Sequence, residues 1–191
     1  MLLNSADDLI TSPQISTMQV LLSSQQLSDT IHKLAGQLAG HHKSTEDVVF
    51  VGIQQGGVMV ADEMMKHLEQ LYPGKMLQYG QLDITFYRDD IRKEILAPDV
   101  MNLPFSIENK TVILIDDVLF TGRTIKAALD ALLDYGRPAK VELCVLVDRK
   151  EHRQFPIQAD YTGAILHTSK ADKVKLVKNE TGNKEVVLIV A

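Results

Sequence analysis

The stretch from Val112 to Thr124 constrains the fold of this chain more than any other part of its sequence. It begins with four apolar residues, rich in β-branched side chains, and runs directly into the adjacent acids Asp116 and Asp117. Such a run is typical of a buried parallel strand near its carboxyl end. A short loop with one glycine and two threonines follows, and apolar residues then recur at helical spacing from Ile125. We therefore predict a strand, a loop and a helix in succession.

A strand, loop and helix of this kind can form a pocket for a phosphorylated sugar. The loop amides and the hydroxyl groups of Thr121 and Thr124 can surround a phosphate at the positive end of the following helix. Asp116 and Asp117 lie where they can accept hydrogen bonds from ribose hydroxyl groups. Other phosphate-binding motifs fit less well, because the sequence contains neither G-x-x-x-x-G-K-[ST] nor a G-x-G-x-x-G after a strand.

The same residues resemble the phosphoribosyl-diphosphate (PRPP) signature of the type I phosphoribosyltransferases: four apolar positions, two acids, then Thr-Gly-x-Thr. All thirteen positions from Val112 to Thr124 fit, so an ordinary Asp-Asp turn without a ligand is the weaker interpretation. The resemblance implies that Asp116 and Asp117 are catalytic, and that Mg²⁺ is held by the diphosphate of PRPP rather than directly by the protein. It also implies that the nucleotide phosphate is bound by Phe120, Thr121, Gly122, Arg123 and Thr124.

Alternating strand and helix patterns surround this motif. Val48 to Ile53 and Val141 to Val147 are predicted strands, and Leu77 to Phe86 alternates well enough to be another. Helical spacing of apolar residues follows Ser23, a candidate N-cap, and also follows Gly57. This alternation predicts an α/β fold with a mainly parallel sheet flanked by helices. The resemblance narrows the class to the type I phosphoribosyltransferase fold.

The domain organisation is predicted from length and local composition. At 191 residues the chain has the size of one domain. Residues 1–17, rich in serine, threonine, asparagine and aspartate, are predicted to be a mobile tail, and residues 18–191 a single phosphoribosyltransferase domain. Within it, residues 87–109 are charged and contain two prolines, which predicts a flexible lid. Residues from about 148 to 191 show short strand patterns and predict a small strand-rich hood.

Composition and charge exclude several classes of protein. The formal net charge of −5 gives no global electrostatic case for nucleic-acid binding. No apolar run approaches the roughly 18 residues of a membrane span. The single cysteine, Cys144, lies in a predicted strand and cannot form an internal disulfide. No lysine or arginine precedes Lys33, so the basic region of a secretory signal is not evident. The predicted location is cytoplasmic, with no membrane partner.

A closer resemblance covers about residues 20–180. The segments 82–90, 145–149 and 159–163 are similar to the PyrR proteins, regulators of pyrimidine-operon attenuation that are also uracil phosphoribosyltransferases. This resemblance implies the reaction of uracil and PRPP to give UMP and pyrophosphate, with Mg²⁺, in a homodimer or larger homo-oligomer. An alternative is an RNA-binding attenuator that senses UMP or PRPP with little or no catalysis. A third is a salvage enzyme for another base.

The resemblance also assigns Tyr87 and Arg88 to a lid, and Gln55 and Gly56 to a loop that binds the diphosphate. It assigns Asp148 and Val174 to a pocket for the base. An acceptor at Asp148 suits the N3–H of uracil, although a strand-end salt bridge with Arg149 or Lys150 explains this acid equally well. Phe120 occupies the position at which hypoxanthine-guanine relatives carry an aspartate that handles a purine proton. This difference argues against a purine substrate.

The sequence departs from the PyrR pattern at two places. The loop Gln54–Gly57 stands where that group has Lys-Thr-Arg-Gly, so a cation that contacts the diphosphate is missing, although the backbone amides beside two glycines can form an anion nest. We expect an arginine at Gly56 to restore the cation and raise kcat/KM for PRPP. The second departure is in the first helix, where the RNA-facing positions are Ser28, Asp29, His32 and Gly36. These residues offer few cations for phosphate contacts, so RNA binding is expected to be weak or absent.

Two histidine-containing pairs are candidate sites that the motif does not use. Adjacent residues of a helix point apart, so His41 and His42 are interpreted as a solvated helix end rather than as metal ligands. His152 and Arg153 are interpreted as solvated surface.

Overall fold

The computed structural model describes residues 18–87 and 103–190. The predicted tail and residues 88–102 of the predicted lid lie outside the described residues. The elements of the described part are β1 (Met18–Leu22), α1 (Ser24–His41), β2 (Val48–Ile53), α2 (Gly56–Leu71), β3 (Gln78–Leu82), β4 (Thr111–Leu119), α3 (Arg123–Tyr135), β5 (Lys140–Asp148), β6 (Tyr161–Ile165), β7 (Lys173–Lys178) and β8 (Lys184–Ile189). Two short 3-10 helices cover Thr85–Tyr87 and Lys150–His152.

Five parallel strands form the large sheet in the order β3-β2-β4-β5-β6. The central strand β4 pairs with β2 on one side and with β5 on the other, so that Leu114 lies between Val51 and Leu143. The three inner strands β2, β4 and β5 are buried over most of their length, which explains why each contains an apolar run rather than an alternating pattern. The predicted α/β class is confirmed.

The two faces of the large sheet have separate hydrophobic cores. Helices α1 and α2 cover one face, where Ile31 and Met64 pack with Phe50, Ile113 and other buried residues. Helix α3 covers the opposite face, with a buried set that includes Val51, Leu114, Ile125, Ala128 and Leu132. No helix in the described ranges is both long enough and apolar enough to cross a bilayer.

Helix α1 begins at the predicted cap. The Ser23 hydroxyl accepts a hydrogen bond from the backbone N–H of Gln26, and the Gln26 side chain accepts one from the backbone N–H of Ser23. This reciprocal capping box satisfies two N–H groups that have no partner inside the helix. The helix then buries Leu27, Ile31 and Leu34 at helical spacing.

The predicted strand from Leu77 to Phe86 is shorter in the structure. Strand β3 ends at Leu82, and a 3-10 helix begins at Thr85. The Asp83 carboxylate accepts hydrogen bonds from both the backbone N–H and the hydroxyl of Thr85, at 2.8 and 2.6 Å. An aspartate that binds the backbone two residues ahead stabilises a turn, so it ends the strand.

The small sheet is composed differently from the predicted hood. It contains three antiparallel strands in the order β1-β8-β7, and Met18 in β1 pairs with Ile189 in β8. Strand β6 instead extends the large sheet, where Tyr161 pairs with Cys144 of β5. Alternation along a short strand predicts that the strand exists, but it carries no information on which distant strand is its partner.

Candidate active site

The predicted strand, loop and helix are present, and the strand is longer than its apolar run. Strand β4 continues through the two acids to Leu119, and α3 begins at Arg123. Gly122 precedes the helix with a φ of 89°, a left-handed conformation that favours glycine. A Cβ atom at Gly122 would also lie 3.3 Å from Phe155. The three residues 120–122 therefore make a tight connection at the carboxyl end of β4.

This connection encloses one side of a cavity of about 230 Å³. The cavity is lined by Asp116 and by each residue from Val118 to Ile125. The structure thus brings together one of the predicted catalytic acids and all five predicted phosphate-binding residues. They meet at the amino terminus of α3, where the helix dipole and the exposed N–H groups favour an anion.

The two acids of β4 lie on opposite faces of the sheet, as successive residues of a strand do. Asp116 is 4% exposed, lines the cavity, and accepts the backbone N–H of Asp117 at 2.9 Å. Asp117 accepts the backbone N–H of Val118 at 2.9 Å and lies against Gly56 at the start of α2. A ligand that contacts both carboxylates must therefore lie across the end of β4.

The predicted diphosphate loop Gln54–Gly57 lies beside β4, and its peptide bond between Gln54 and Gln55 is cis. Helix α2 begins within this loop. A Cβ atom at Gly56 would lie 2.2 Å from the Asp117 carboxylate, and one at Gly57 would lie 2.4 Å from the Ile115 carbonyl oxygen. Only glycine permits the backbone to come this close. The amides of the first turn of α2 thus lie directly beside the acids of β4.

Asp148 ends β5 and is 1% exposed. Its carboxylate forms an ion pair with Arg153, whose side chain is 17% exposed, and not with Arg149 or Lys150. The interpretation of Arg153 as solvated surface is therefore wrong. A buried carboxylate requires a charged or hydrogen-bonding partner. That partner lies beyond a 3-10 turn whose geometry the sequence does not reveal.

Arg149 is a second buried cation that sequence reasoning missed as a site residue. It is 2% exposed, and its guanidinium carbon lies 3.9 Å from the centre of the Phe120 ring. Its Nε and Nη2 donate to the Thr168 hydroxyl and the Ser169 carbonyl at 2.7 and 2.8 Å. Burial lowers the pKa of Arg149. The His152 ring approaches the same phenylalanine at 5.2 Å, so neither His152 nor Arg149 is isolated surface.

Three of the predicted site residues that the structure describes, Val174, Asp148 and Tyr87, do not line the cavity. Val174 is 9% exposed and packs in the core that α1 and α2 cover, and neither Val174 nor Asp148 lines the cavity. Arg88 lies outside the described residues. The Tyr87 hydroxyl donates to Asp134 in the last turns of α3 at 2.5 Å. This hydrogen bond, together with some burial, raises the pKa of Tyr87 to about 12.

The end of α1 is not simply solvated. His42 Nε2 lies 2.8 Å from the Glu142 carboxylate, and His41 Nδ1 lies 3.1 Å from the Tyr161 hydroxyl. Both contacts lie near the beginning of β5, at the edge of the sheet opposite the cavity. Within residues 18–87 and 103–190, no group of three or more His, Cys, Asp or Glu side chains is placed to hold a metal ion.

Comparisons with known proteins identify the family of this chain. The family model described as a phosphoribosyl transferase domain matches residues 19–187. The "Bifunctional protein PyrR" of Desulfosudis oleivorans is 43% identical over 171 residues, which are 88% of this chain and 94% of that protein. The protein of the same name from Mannheimia succiniciproducens is 44% identical over 179 residues, or 90% of this chain and 98% of that one.

Solved structures show the same fold. A hypoxanthine phosphoribosyltransferase from Staphylococcus aureus has a TM-score of 0.63 at 26% identity and covers 79% of each chain. The enzyme of that name from Trypanosoma cruzi has a TM-score of 0.68 over 90% of this chain and 96% of its own, at 17% identity, which is evidence for the fold alone. The predicted type I fold is confirmed, and the chain belongs to the phosphoribosyltransferase family and, within it, to the PyrR group.

Proposed function

We propose that this protein converts uracil and PRPP to UMP and pyrophosphate. The observation that carries the proposal is the arrangement around the end of β4. A cavity of about 230 Å³ at the start of α3 lies on one side, and the glycine loop at the start of α2 lies on the other. The two acids lie between them. PRPP has the same order of groups, with a 5-phosphate, a ribose and a diphosphate.

The 5-phosphate would bind at the start of α3. The backbone amides of residues 120–124 and the hydroxyl groups of Thr121 and Thr124 supply donors there, and the helix dipole adds a favourable field. Arg123 places a cation at the rim, where its Nε donates to the Gln154 side chain at 3.0 Å. Fixing the phosphate holds the ribose still while the bond at its anomeric carbon breaks.

The acids of β4 would act on the ribose. Displacement of the diphosphate gives the ring oxocarbenium character, and carboxylates that accept hydrogen bonds from ribose hydroxyl groups stabilise this positive charge. Asp116 and Asp117 both lie at the required end of the strand. Mg²⁺ bound by the diphosphate, rather than directly by the protein, would neutralise charge on the leaving group.

A pyrimidine is the base that the site favours. Phe120 has no titratable group with which to exchange a proton with a purine ring, and the Arg149 guanidinium lies over its face. The carboxylate of Asp148 is an acceptor suited to the N3–H of uracil, and this contact would require a movement that exposes it. The proposal therefore predicts that the enzyme prefers a pyrimidine that carries an N–H group at N3.

Binding to RNA is not part of the proposal, although the relatives are named as bifunctional. On α1, Asp29, His32 and Gly36 are exposed, and the only charge certain at neutral pH among them is negative. A surface of this kind neutralises few phosphates. Gel shifts with leader RNA of pyrimidine genes at a stated salt concentration test this, and specific sub-micromolar binding would favour the regulator.

The proposal is tested by turnover of PRPP with a panel of bases. We expect the highest kcat/KM with uracil, and faster synthesis from hypoxanthine or guanine would overturn the assignment. Asp117→Asn should lower kcat by about 100-fold, because it removes a charge next to the developing cation. The matched control is Asp130→Asn, an acid of α3 that pairs with Lys126 at the surface and should leave kcat unchanged.

A further inference from the structure

The loop that follows β4 is held from one side by the residues that follow β5. The backbone N–H of Arg149 donates to the Leu119 carbonyl at 3.0 Å. The Nη1 group of Arg153 donates to the next carbonyl, that of Phe120. The segment 149–155 therefore supplies donors to two successive peptide groups at the end of the strand.

The carbonyl of the next residue, Thr121, also accepts hydrogen bonds from the segment 149–155. The Thr121 carbonyl accepts the backbone N–H groups of Gln154 and Phe155, at 2.9 and 3.2 Å. The side chain of Gln154 also accepts a hydrogen bond from Arg123 Nε at 3.0 Å. The carbonyls of residues 119, 120 and 121 thus all face the segment 149–155.

This arrangement determines where the amides of the loop point. In a trans peptide the C=O and the N–H of the following residue point in opposite directions, and these peptide bonds are trans. The N–H groups of Phe120, Thr121 and Gly122 therefore point away from the segment 149–155. The cavity is lined by residues 118–125 and by no residue of that segment. The three amides are consequently directed to the side on which the cavity lies.

The side chain of Arg153 connects the loop after β4 to the end of β5. One of its terminal nitrogens binds the Phe120 carbonyl and the other binds the Asp148 carboxylate. Asp148 is 1% exposed and lies in β5, beside Leu119. The planar guanidinium spans two acceptors, which a lysine ammonium on a single flexible stem does not reproduce. The ion pair thus anchors the donor that orients the loop.

We propose that Arg153 is a positioning residue for phosphate binding, which acts by turning the loop amides toward the 5-phosphate through the Phe120 carbonyl. Arg149 assists it, because its stacking on the Phe120 ring and its backbone hydrogen bond to Leu119 hold the same peptide groups. Neither arginine needs to touch the substrate. The inference rests on the proposed function, because it names the residues that prepare the phosphate half of that site.

The test compares two ligands that occupy the two sides of β4. Ribose 5-phosphate needs the loop at α3, whereas pyrophosphate needs the glycine loop at α2. For Arg153→Lys we expect calorimetry to show ribose 5-phosphate and UMP binding weakened about tenfold, with pyrophosphate affinity changed by less than about twofold. The matched control is Arg137→Lys, an exposed arginine that should change neither.

A double-mutant cycle separates positioning from general damage to the fold. Thr124→Val removes a phosphate contact from the same loop. If Arg153 acts through that loop, Arg153→Lys should weaken UMP binding less in the Thr124→Val background than in the wild type. Equal weakening in both backgrounds would overturn the proposal. If Arg153→Lys does not fold, the pair Arg153→Met with Asp148→Asn removes both buried charges together and allows ribose 5-phosphate to be compared with pyrophosphate, two ligands that carry no base.

Failure of this inference is distinguishable from failure of the proposed function. A wild-type protein that neither binds UMP nor turns over uracil would refute the function itself. A wild-type protein that binds UMP, together with an Arg153→Lys variant indistinguishable from Arg137→Lys, would refute only the positioning role. Equal weakening of pyrophosphate and ribose 5-phosphate would also refute it, because the effect would then not be confined to the loop at α3.

Discussion

Buried acids lie at both ends of the parallel strands of the large sheet, and their surroundings differ. We call the side of the sheet at which these strands begin the amino edge, and the side at which they end the carboxyl edge. At the amino edge, the Glu142 carboxylate is bound by three side chains: Lys140 at 2.6 Å, Tyr161 at 2.7 Å and His42 at 2.8 Å. Burial acts to raise its pKa, but these hydrogen bonds outweigh the burial and hold the pKa of Glu142 at about 2. The acid is a charged anchor between the end of α1 and the start of β5.

At the carboxyl edge, the two acids of β4 lie close to backbone atoms. Asp116 borders the cavity, and Asp117 lies against a glycine where no Cβ atom fits. Glycines at the two loops bring N–H groups close to the strand end, although each glycine loses more conformational entropy on folding than another residue would. Buried acids alone therefore do not identify a site. The amino edge holds helix and sheet together, and the carboxyl edge provides space and donors for a ligand.

The largest predicted effect tests how tightly α2 approaches the carboxyl edge. In Gly57→Ala the new Cβ atom would lie 2.4 Å from the Ile115 carbonyl oxygen and 3.0 Å from the Asp116 Cα atom. Both are backbone atoms and cannot rotate away, so we expect the free energy of unfolding to fall by about 3 kcal/mol or more. Urea unfolding measures the change.

The control for this substitution is Gly36→Ala in α1, where a new Cβ atom would have nothing within 4 Å. There the change removes the conformational freedom of a helical glycine and should stabilise the protein by about 0.5–1 kcal/mol. A Gly57→Ala variant as stable as the wild type would show that α2 can move away from β4, and the contrast between the edges would lose its basis.

The next effect concerns the amino edge and depends on pH. A pKa of about 2 for Glu142, against an ordinary value of 4.5, corresponds to on the order of 2–3 kcal/mol of stability. The folded-state pKa is lowered, so this stability is present above the unfolded-state pKa and is lost as pH falls from about 4.5 toward about 2. Glu142→Gln should therefore be destabilised at pH 7, by a difference that shrinks on acidification.

Unfolding free energies measured at several pH values check this prediction, with Glu46→Gln, an exposed acid, as the control. UMP affinity of the Glu142→Gln variant should equal that of the wild type, because the cluster lies at the other edge. An unchanged pH dependence in Glu142→Gln would mean that the hydrogen bonds do not stabilise the charge. Weaker UMP binding would mean that the two edges are coupled.

The sequence predicts these two edges unequally. The site at the carboxyl edge is largely contained in one continuous segment, since the strand, loop and helix from Thr111 to Tyr135 follow directly from local patterns. The amino-edge cluster instead joins residues about 100 positions apart, such as His42 and Glu142. Local periodicity contains no information on such pairs. The same reason explains why β1 was not expected in the small sheet, where it pairs with β8.

One expectation from the sequence is contradicted by the geometry of the carboxyl edge. The PyrR pattern suggests that Gly56→Arg restores a cation and raises kcat/KM. In the structure, a Cβ atom at Gly56 would lie 2.2 Å from the Asp117 carboxylate, so any side chain there must displace a proposed catalytic acid. We therefore expect Gly56→Arg to be no faster than the wild type. Gln55→Arg places the cation at an exposed neighbouring position and is the better variant for this test.

The third effect is on affinity at the carboxyl edge. Thr124→Val keeps the shape of the side chain but removes a hydroxyl donor at the start of α3, leaving a phosphate oxygen unpaired. UMP binding should weaken by about 1–2 kcal/mol. Calorimetry with UMP is the measurement, and Thr30→Val in α1, whose hydroxyl binds the Gln26 carbonyl, is the control. Unchanged UMP binding in Thr124→Val would place the phosphate elsewhere.

The smallest effect decides the assignment of Tyr87. The resemblance implies a lid residue, but in the structure its hydroxyl donates to Asp134 in the last turns of α3. Both side chains are near the surface, so Tyr87→Phe should lower the free energy of unfolding by about 0.5–1 kcal/mol. The Asp134→Asn variant should lose a similar amount, and the double variant should lose less than the sum, because the two residues share one hydrogen bond.

If the Tyr87 hydroxyl serves only this contact, kcat/KM for PRPP stays unchanged in all three variants. A fall in kcat/KM for Tyr87→Phe alone, with Asp134→Asn unaffected, would show that the hydroxyl leaves Asp134 during turnover and acts at the carboxyl edge.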